Sequence, residues 1–294
     1  MDLSGLLPWA GLAGAPLDSA DVVIAGVPYD GSAAYRKGAA QAPGRIRNLS
    51  PVMPPVTEDG RTLFGMAVHD LGDLDAGADI EHGWRPVADR LAAIRPGALL
   101  TVMGGDHCST IPIVAAQVRR HPKVKVLWID AHPDLCDFSR GGAWTCGCAL
   151  RRALEVSGLP ASSAGVAGGR DYDIEELDFI RDNGMLLISS PRLAREPEAC
   201  GEEVARWADG SPLHLSFDID VLDPAAAPGT EIPSPGGLTT RQALDFIRSL
   251  AEGAHLVGLD VTEVAPPVDH NDITSLAALK VIFEFWGRAW KQRT

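Results

Sequence analysis

The chain has 294 residues, of which 46% are hydrophobic and 22% charged, and a formal net charge of −13. That length supports a large core, and the composition is that of an ordinary globular protein, which excludes a disordered or fibrous chain. The acidic balance disfavours nucleic acid and anionic membrane surfaces as partners and suits a cationic ligand, although solubility alone explains it as well.

In chain order, the first 16 residues hold a short apolar run whose only early charge is Asp2. A secretory leader begins with positive charge, so a cytoplasmic protein is expected. No run approaches about 18 uninterrupted apolar residues, so no transmembrane helix is indicated. Apolar, often β-branched segments at 21–27, 98–105, 124–130, 185–189, 213–220 and 255–261 predict strands, with weaker candidates at 65–73 and 163–169. Their near-continuous apolarity fits strands covered on both faces, hence a parallel sheet in a layered α/β fold. The Pro-rich stretch 50–60 reads as a surface excursion too short to divide domains, so one domain over 1–294 is expected. Residues 239–253 carry a Thr cap and helical spacing closed by Gly253. Residues 272–290 predict a C-terminal helix, apolar on most faces and therefore buried. Five cysteines, an odd number lying mostly in or near polar motifs, do not suggest a disulfide framework.

Polar motifs follow the apolar runs directly: "GGDH" (104–107), "DAHPD" (130–134), "DID" (218–220) and "TE" (262–263). In open parallel sheets, ligands bind beyond the carboxyl ends of the strands, where distant segments converge. Continued strand alternation would put Asp130, His132 and Asp134 on one face, and Asp218 and Asp220 on one face. With His107, these make four carboxylates and two imidazoles, which repel one another in one crevice unless cations neutralise them. Two divalent ions match four carboxylates charge for charge. Oxygen-rich sites with about one imidazole per metal suit Mn²⁺ best, and Ni²⁺, Co²⁺, Zn²⁺ or Fe²⁺ accept the same donors. Each cluster alone has a bland explanation, such as a turn at Asp223-Pro224. Three at successive strand ends do not.

On these motifs the sequence resembles the ureohydrolases, the arginase and agmatinase family, and within it the agmatinase-like branch. Residues 26–50, "GGDHCST" (104–110), "WIDAHPDL" (128–135), 216–239 and "VGLDVTEVAPPVD" (257–269) follow the family's order. The resemblance implies a three-layer α/β/α fold around a mainly parallel eight-stranded sheet, assembled as trimers or hexamers. It implies one metal held by His107, Asp130, Asp134 and Asp218, and another by Asp130, His132, Asp218 and Asp220. Two adjacent divalent ions lower the pKa of a bridging water enough to supply hydroxide near neutrality. Attack on a small linear guanidino compound would then release urea and an amine. Asp134 would pass a proton to the departing amine, and Glu263 would pair with the guanidinium. Asp173 resembles the arginase position that meets a substrate amino group.

The departure from the family is "WTCGC" (144–148), which places Cys146 where relatives carry a proton-shuttling or substrate-contacting histidine. A thiol is shorter and cannot relay a proton between two nitrogens as imidazole does. Four readings stay open. Cys146 is a contact residue in a ureohydrolase of altered specificity, or marks a hydrolase of formimidoyl or other amidine groups. Alternatively it marks a poorly active paralogue that keeps its metals as a subunit, or serves as a nucleophile or extra metal ligand. For Cys108, Cys136 and Cys148, packing as small buried residues is the simpler account.

Overall fold

The structure is a computed structural model and describes residues 7–33 and 35–290. Asp2, on which the expected absence of a leader turns, lies outside these residues, as does Ala34. Eight strands form one sheet: β1 (Val22–Gly26), β2 (Val68–Asp73), β3 (Leu99–Met103), β4 (Lys125–Ile129), β5 (Ala164–Gly169), β6 (Leu186–Ser189), β7 (Pro212–Asp218) and β8 (His255–Thr262). Both weaker candidates are therefore strands. Every pairing is parallel, in the order β2-β1-β3-β8-β7-β4-β5-β6.

Parallel neighbours require crossovers, which here contain helices. These are α1 (Ala42–Leu49), α2 (Ile80–Ala92), α3 (Thr110–Arg120), α4 (Ala149–Ser157), α5 (Ile174–Asp182), α6 (Ser190–Arg195), α7 (Pro197–Ala208), α8 (Thr240–Gly253) and α9 (Ile273–Ala289). Strand residues alternate between two buried clusters: Val22 and Ile24 join one, Val23 and Ala25 the other. The near-continuous apolarity of β1 thus serves two cores, one on each face, giving the expected three-layer α/β/α arrangement. Thr239 caps α8, accepting from Gln242 N while the Gln242 side chain accepts from the Thr239 amide. Helix α9 is buried on most of its faces, with Phe283, Phe285 and Trp286 inside. Among the described residues no helix is long and apolar enough to cross a membrane.

The strand order positions the site. It sets β3, β8, β7 and β4 side by side at the centre of the sheet, so the four polar motifs end along one stretch of its carboxyl edge. Backbone bonds lock them there: Gly104 N donates to the Val261 carbonyl at 2.8 Å, and Glu263 N to the Gly105 carbonyl at 2.8 Å. Gly105 packs so close to Tyr29 that a Cβ would lie 1.8 Å from the Tyr29 carbonyl oxygen, so only glycine fits.

One expectation is corrected. The carboxylates are not presented by continued strand geometry, because β4 stops at Ile129 and β7 at Asp218. Short polar side chains there bond their own backbone and turn the chain. His132 N donates to Asp130 Oδ1 at 2.6 Å, and Asp220 N to Asp218 Oδ1 at 2.8 Å, the latter opening a single 3₁₀ turn over Ile219–Val221.

Candidate active site

His107 begins the 3₁₀ turn His107–Ser109, which Asp106 caps by accepting from Cys108 N. Its ring stacks on Trp128 of β4, with centroids 3.8 Å apart and planes 13° from parallel. Nε2 lies 2.9 Å from Ser216 Oγ, and Ser216 donates to Asp260 Oδ2 at 2.8 Å. The Ser216 oxygen is thereby left to accept from His107 Nε2–H, which turns the Nδ1 lone pair toward the carboxylates.

Around that Nδ1 stand Asp130 Oδ2 at 2.9 Å, Asp218 Oδ2 at 3.0 Å and Asp134 Oδ2 at 3.2 Å. Beside this group, His132 Nδ1 lies 3.1 Å from Asp220 Oδ2 and 3.4 Å from Asp130 Oδ1. His107, Asp130 and Asp218 form one compact triad, Asp130, His132 and Asp220 a second, and Asp130 belongs to both. All six predicted residues therefore converge. Five are buried, and His132 is partly exposed toward a cleft of about 360 Å³.

Burial and crowding set the protonation behaviour. Burial and the charge of Asp130 raise the Asp134 carboxyl to about 7. Burial, then Asp220 and Asp130, hold Asp218 well above the carboxylate range; Asp220 is raised by burial and Asp130. Asp130 moves the other way, because the two adjacent histidines outweigh its burial. Burial opposes charge on His107 and His132, yet their carboxylate neighbours prevail and raise both.

Glu263 follows β8 and faces the same cleft, its backbone held at φ 63°. Asp134 is likewise left-handed, at φ 56°. Such conformations cost non-glycine residues about 1–3 kcal/mol and persist where surrounding bonds enforce them. Glu263 Oε1 accepts from His107 N at 2.8 Å and lies 3.4 Å from Cys146 Sγ. Burial first, then Glu231, Asp218 and Asp106, push its carboxyl well above the usual range.

Cys146 opens a 3₁₀ turn, Cys146–Cys148, ahead of α4, with Sγ 3.5 Å from Ser32 Oγ. A hydrogen bond with Cys108 and burial raise its thiol well above normal, so it stands as a neutral thiol. All five cysteines are free and buried, in keeping with the packing account of Cys108, Cys136 and Cys148. Asp173 lines the outer wall of the cleft, where it forms a capping box with Glu176 at the start of α5.

Two groups of polar residues escaped the sequence reading. Ser216 and Asp260 sit opposite each other in the β7–β8 register and continue to His214, whose Nε2 lies 2.6 Å from Asp260 Oδ1. Their signal was position alone: Ser216 precedes Asp218 by two, on the same face of β7. Glu231 had no local signal. The bridge between Thr230 and Val264 brings it beside Glu263.

A family model described as the arginase family matches residues 20–287. The chain is 35% identical over 283 residues to the guanidinobutyrase of Pseudomonas aeruginosa, covering 92% of this chain and 86% of that one. It is 36% identical over 278 residues to the guanidinopropionase of the same organism, covering 90% and 85%. The solved structure of proclavaminate amidinohydrolase from Streptomyces clavuligerus matches with a TM-score of 0.88 at 29% identity, covering 99% of this chain and 100% of that one.

Proposed function

The chain belongs to the arginase family and is a hydrolase of C–N bonds, and from that premise we propose that it cleaves a small linear guanidino compound to urea and an amine. Two divalent ions would assist, one held by His107, Asp130, Asp134 and Asp218 and the other by Asp130, His132, Asp218 and Asp220. The observation that carries this reading is the pair of triads sharing Asp130.

The donors fit such ions. His107 Nδ1 and Asp130 Oδ2 are buried without a hydrogen-bond partner, although oxygen or nitrogen stands about 3 Å away. Buried polar atoms in that condition are costly unless a cation completes them. Oxygen-rich donors with one imidazole per triad suit Mn²⁺. Ions bound there would supply Lewis acidity that lowers the pKa of water toward neutrality.

The rest falls to the chain. Glu263 would hold the guanidinium through a charge-assisted pair, orienting its carbon toward the Asp/His cluster. Asp134 faces the same space and would take a proton from the attacking water and return it to the departing amine, which cannot leave as an amide ion. Cys146, neutral and beside Glu263, would serve as a contact that shapes the guanidinium end, because the cluster leaves no need for a thiolate nucleophile. Asp173 would meet the substrate tail at the cleft wall.

The test is urea release by purified, Mn²⁺-loaded protein given agmatine, 4-guanidinobutyrate, 3-guanidinopropionate, arginine or guanidine. Urea is expected from at least one. Urea from none, or ammonia and formamide from formimidoyl substrates instead, would overturn the proposal. The expected assembly as a trimer or hexamer belongs to the same proposal, and sedimentation velocity would read it.

A further inference from the structure

We propose that Cys146, Glu231 and Glu263 form a further cation site, beside the Asp/His cluster, for one thiophilic divalent ion such as Zn²⁺ or Cd²⁺. The Cys146 sulfur and one carboxylate oxygen from each glutamate lie within 4.8 Å of one another, and all three residues are buried. The sulfur is already 3.4 Å from Glu263 Oε1.

An independent observation points to a missing partner. Both carboxylate oxygens of Glu231, and Oε2 of Glu263, are buried without a hydrogen-bond partner, and Glu231 is only 1% exposed. Arg36 approaches only the backbone here, its Nε and Nη2 donating to the carbonyls of Glu231 and Thr230. Unliganded, the pair is relieved by holding protons, burial raising Glu231 to about 8 and Glu263 well above the carboxylate range; a cation that displaces those protons would satisfy the same oxygens.

Donor chemistry selects the ion. Hard ions prefer the oxygen and imidazole donors of the Asp/His cluster, whereas a thiolate favours a softer one. Metal–sulfur bonds of about 2.3 Å and metal–oxygen bonds of about 2.1 Å leave ligand atoms roughly 3.5–4 Å apart, so the observed grouping needs only a small contraction. On binding, the Sγ–H bond breaks, its proton and those held by the two glutamate carboxyls pass to solvent, and sulfur–metal and oxygen–metal bonds form. The fourth position falls to water or to the Ser32 hydroxyl, 3.5 Å from the sulfur. The ion would occupy the carboxylate proposed for the guanidinium, making it competitive with substrate. That consequence rests on the proposed function, whereas the site itself does not.

The experiment is a Co²⁺ titration of the metal-free protein, following thiolate-to-Co²⁺ charge-transfer absorption in the near ultraviolet. The Asp/His cluster contains no sulfur and is silent in this band. A band whose full intensity corresponds to one sulfur-bound ion per chain, reached once the Asp/His cluster has also filled, is expected, absent from Cys146→Ser and roughly tenfold weaker in Co²⁺ affinity in Glu231→Gln. Cys136, which has its own carboxylate neighbours in Asp173 and Glu176, is the control: the band should persist in Cys136→Ser. No band in the unaltered protein, or a band surviving Cys146→Ser, overturns the site. Zinc-edge X-ray absorption of the unaltered, Zn²⁺-saturated protein needs no variant; a partial sulfur shell supports the site and its absence refutes it. Failure to release urea would count against the proposed activity alone, and the absorption band would still decide the site.

Discussion

Replacing Glu263 by glutamine removes one charge and almost no volume. The variant retains a side-chain carbonyl in place of Oε1, so the 2.8 Å bond from His107 N can persist and the histidine stays in place. What disappears is the carboxylate that an arriving guanidinium cation would hold ionised against its burial. Glu263 is 5% exposed, so water screens the pair poorly. Losing one partner of a buried charge pair costs about 2–5 kcal/mol, and a middle value of about 3 corresponds to roughly a hundredfold loss in kcat/KM. The assay is urea release by wild type and Glu263→Gln, each with its Mn²⁺ content measured by mass spectrometry. A loss under about fivefold, with metal retained, would show that Glu263 does not grip the guanidinium. A large loss accompanied by metal release would refute the assigned role differently, by showing that the side chain supports His107 instead.

Asp130 belongs to both triads, so Asp130→Asn should lower bound Mn²⁺ from two per chain to below about one; two retained ions would contradict the shared-ligand assignment. Cys146→His should lower thermal stability by the equivalent of about 1–3 kcal/mol and bring no gain in activity, because imidazole overpacks a site already bounded by Ser32 and Glu263. Higher kcat/KM with unchanged melting would show that the missing imidazole limits the enzyme. Away from the cleft, Glu58 in the Pro-rich excursion joins Arg241, Arg248 and Lys280, and the hydrogen bond from Arg241, aided by Arg248, lowers its carboxyl to about 2. A depressed carboxylate stabilises the fold above its usual pKa, and that stability is lost as pH falls from about 4.5 to about 2. Glu58→Gln should therefore be less stable by about 2 kcal/mol at pH 7, after allowance for partial exposure, and equal to wild type near pH 2 by urea denaturation.

Much of the site was legible because its chemistry is local. Each of the motifs 104–107, 130–134, 218–220 and 262–263 directly follows an apolar run that could only be a doubly covered strand. Strand ends in a parallel sheet share one edge, so the six Asp and His residues had to face a common crevice. The chain could not reveal that Asp130 and Asp218 turn through bonds to their own backbone, which moves Asp134 and Asp220 off the strand pattern.

By itself, then, the sequence determined the layered parallel fold, the kinds of residue at the candidate site and their nearness to one another. Periodicity and residue chemistry act over a few residues, and these properties need no more than that. Tertiary structure alone decided the order β3-β8-β7-β4, and with it the Ser216–Asp260 support behind His107. It also decided what surrounds Cys146. Pairing between Thr230 and Val264 brings Glu231 against Glu263 and the thiol, three residues distant in the chain and buried together. No local pattern encodes such a contact, because it exists only once separate strands and loops have packed.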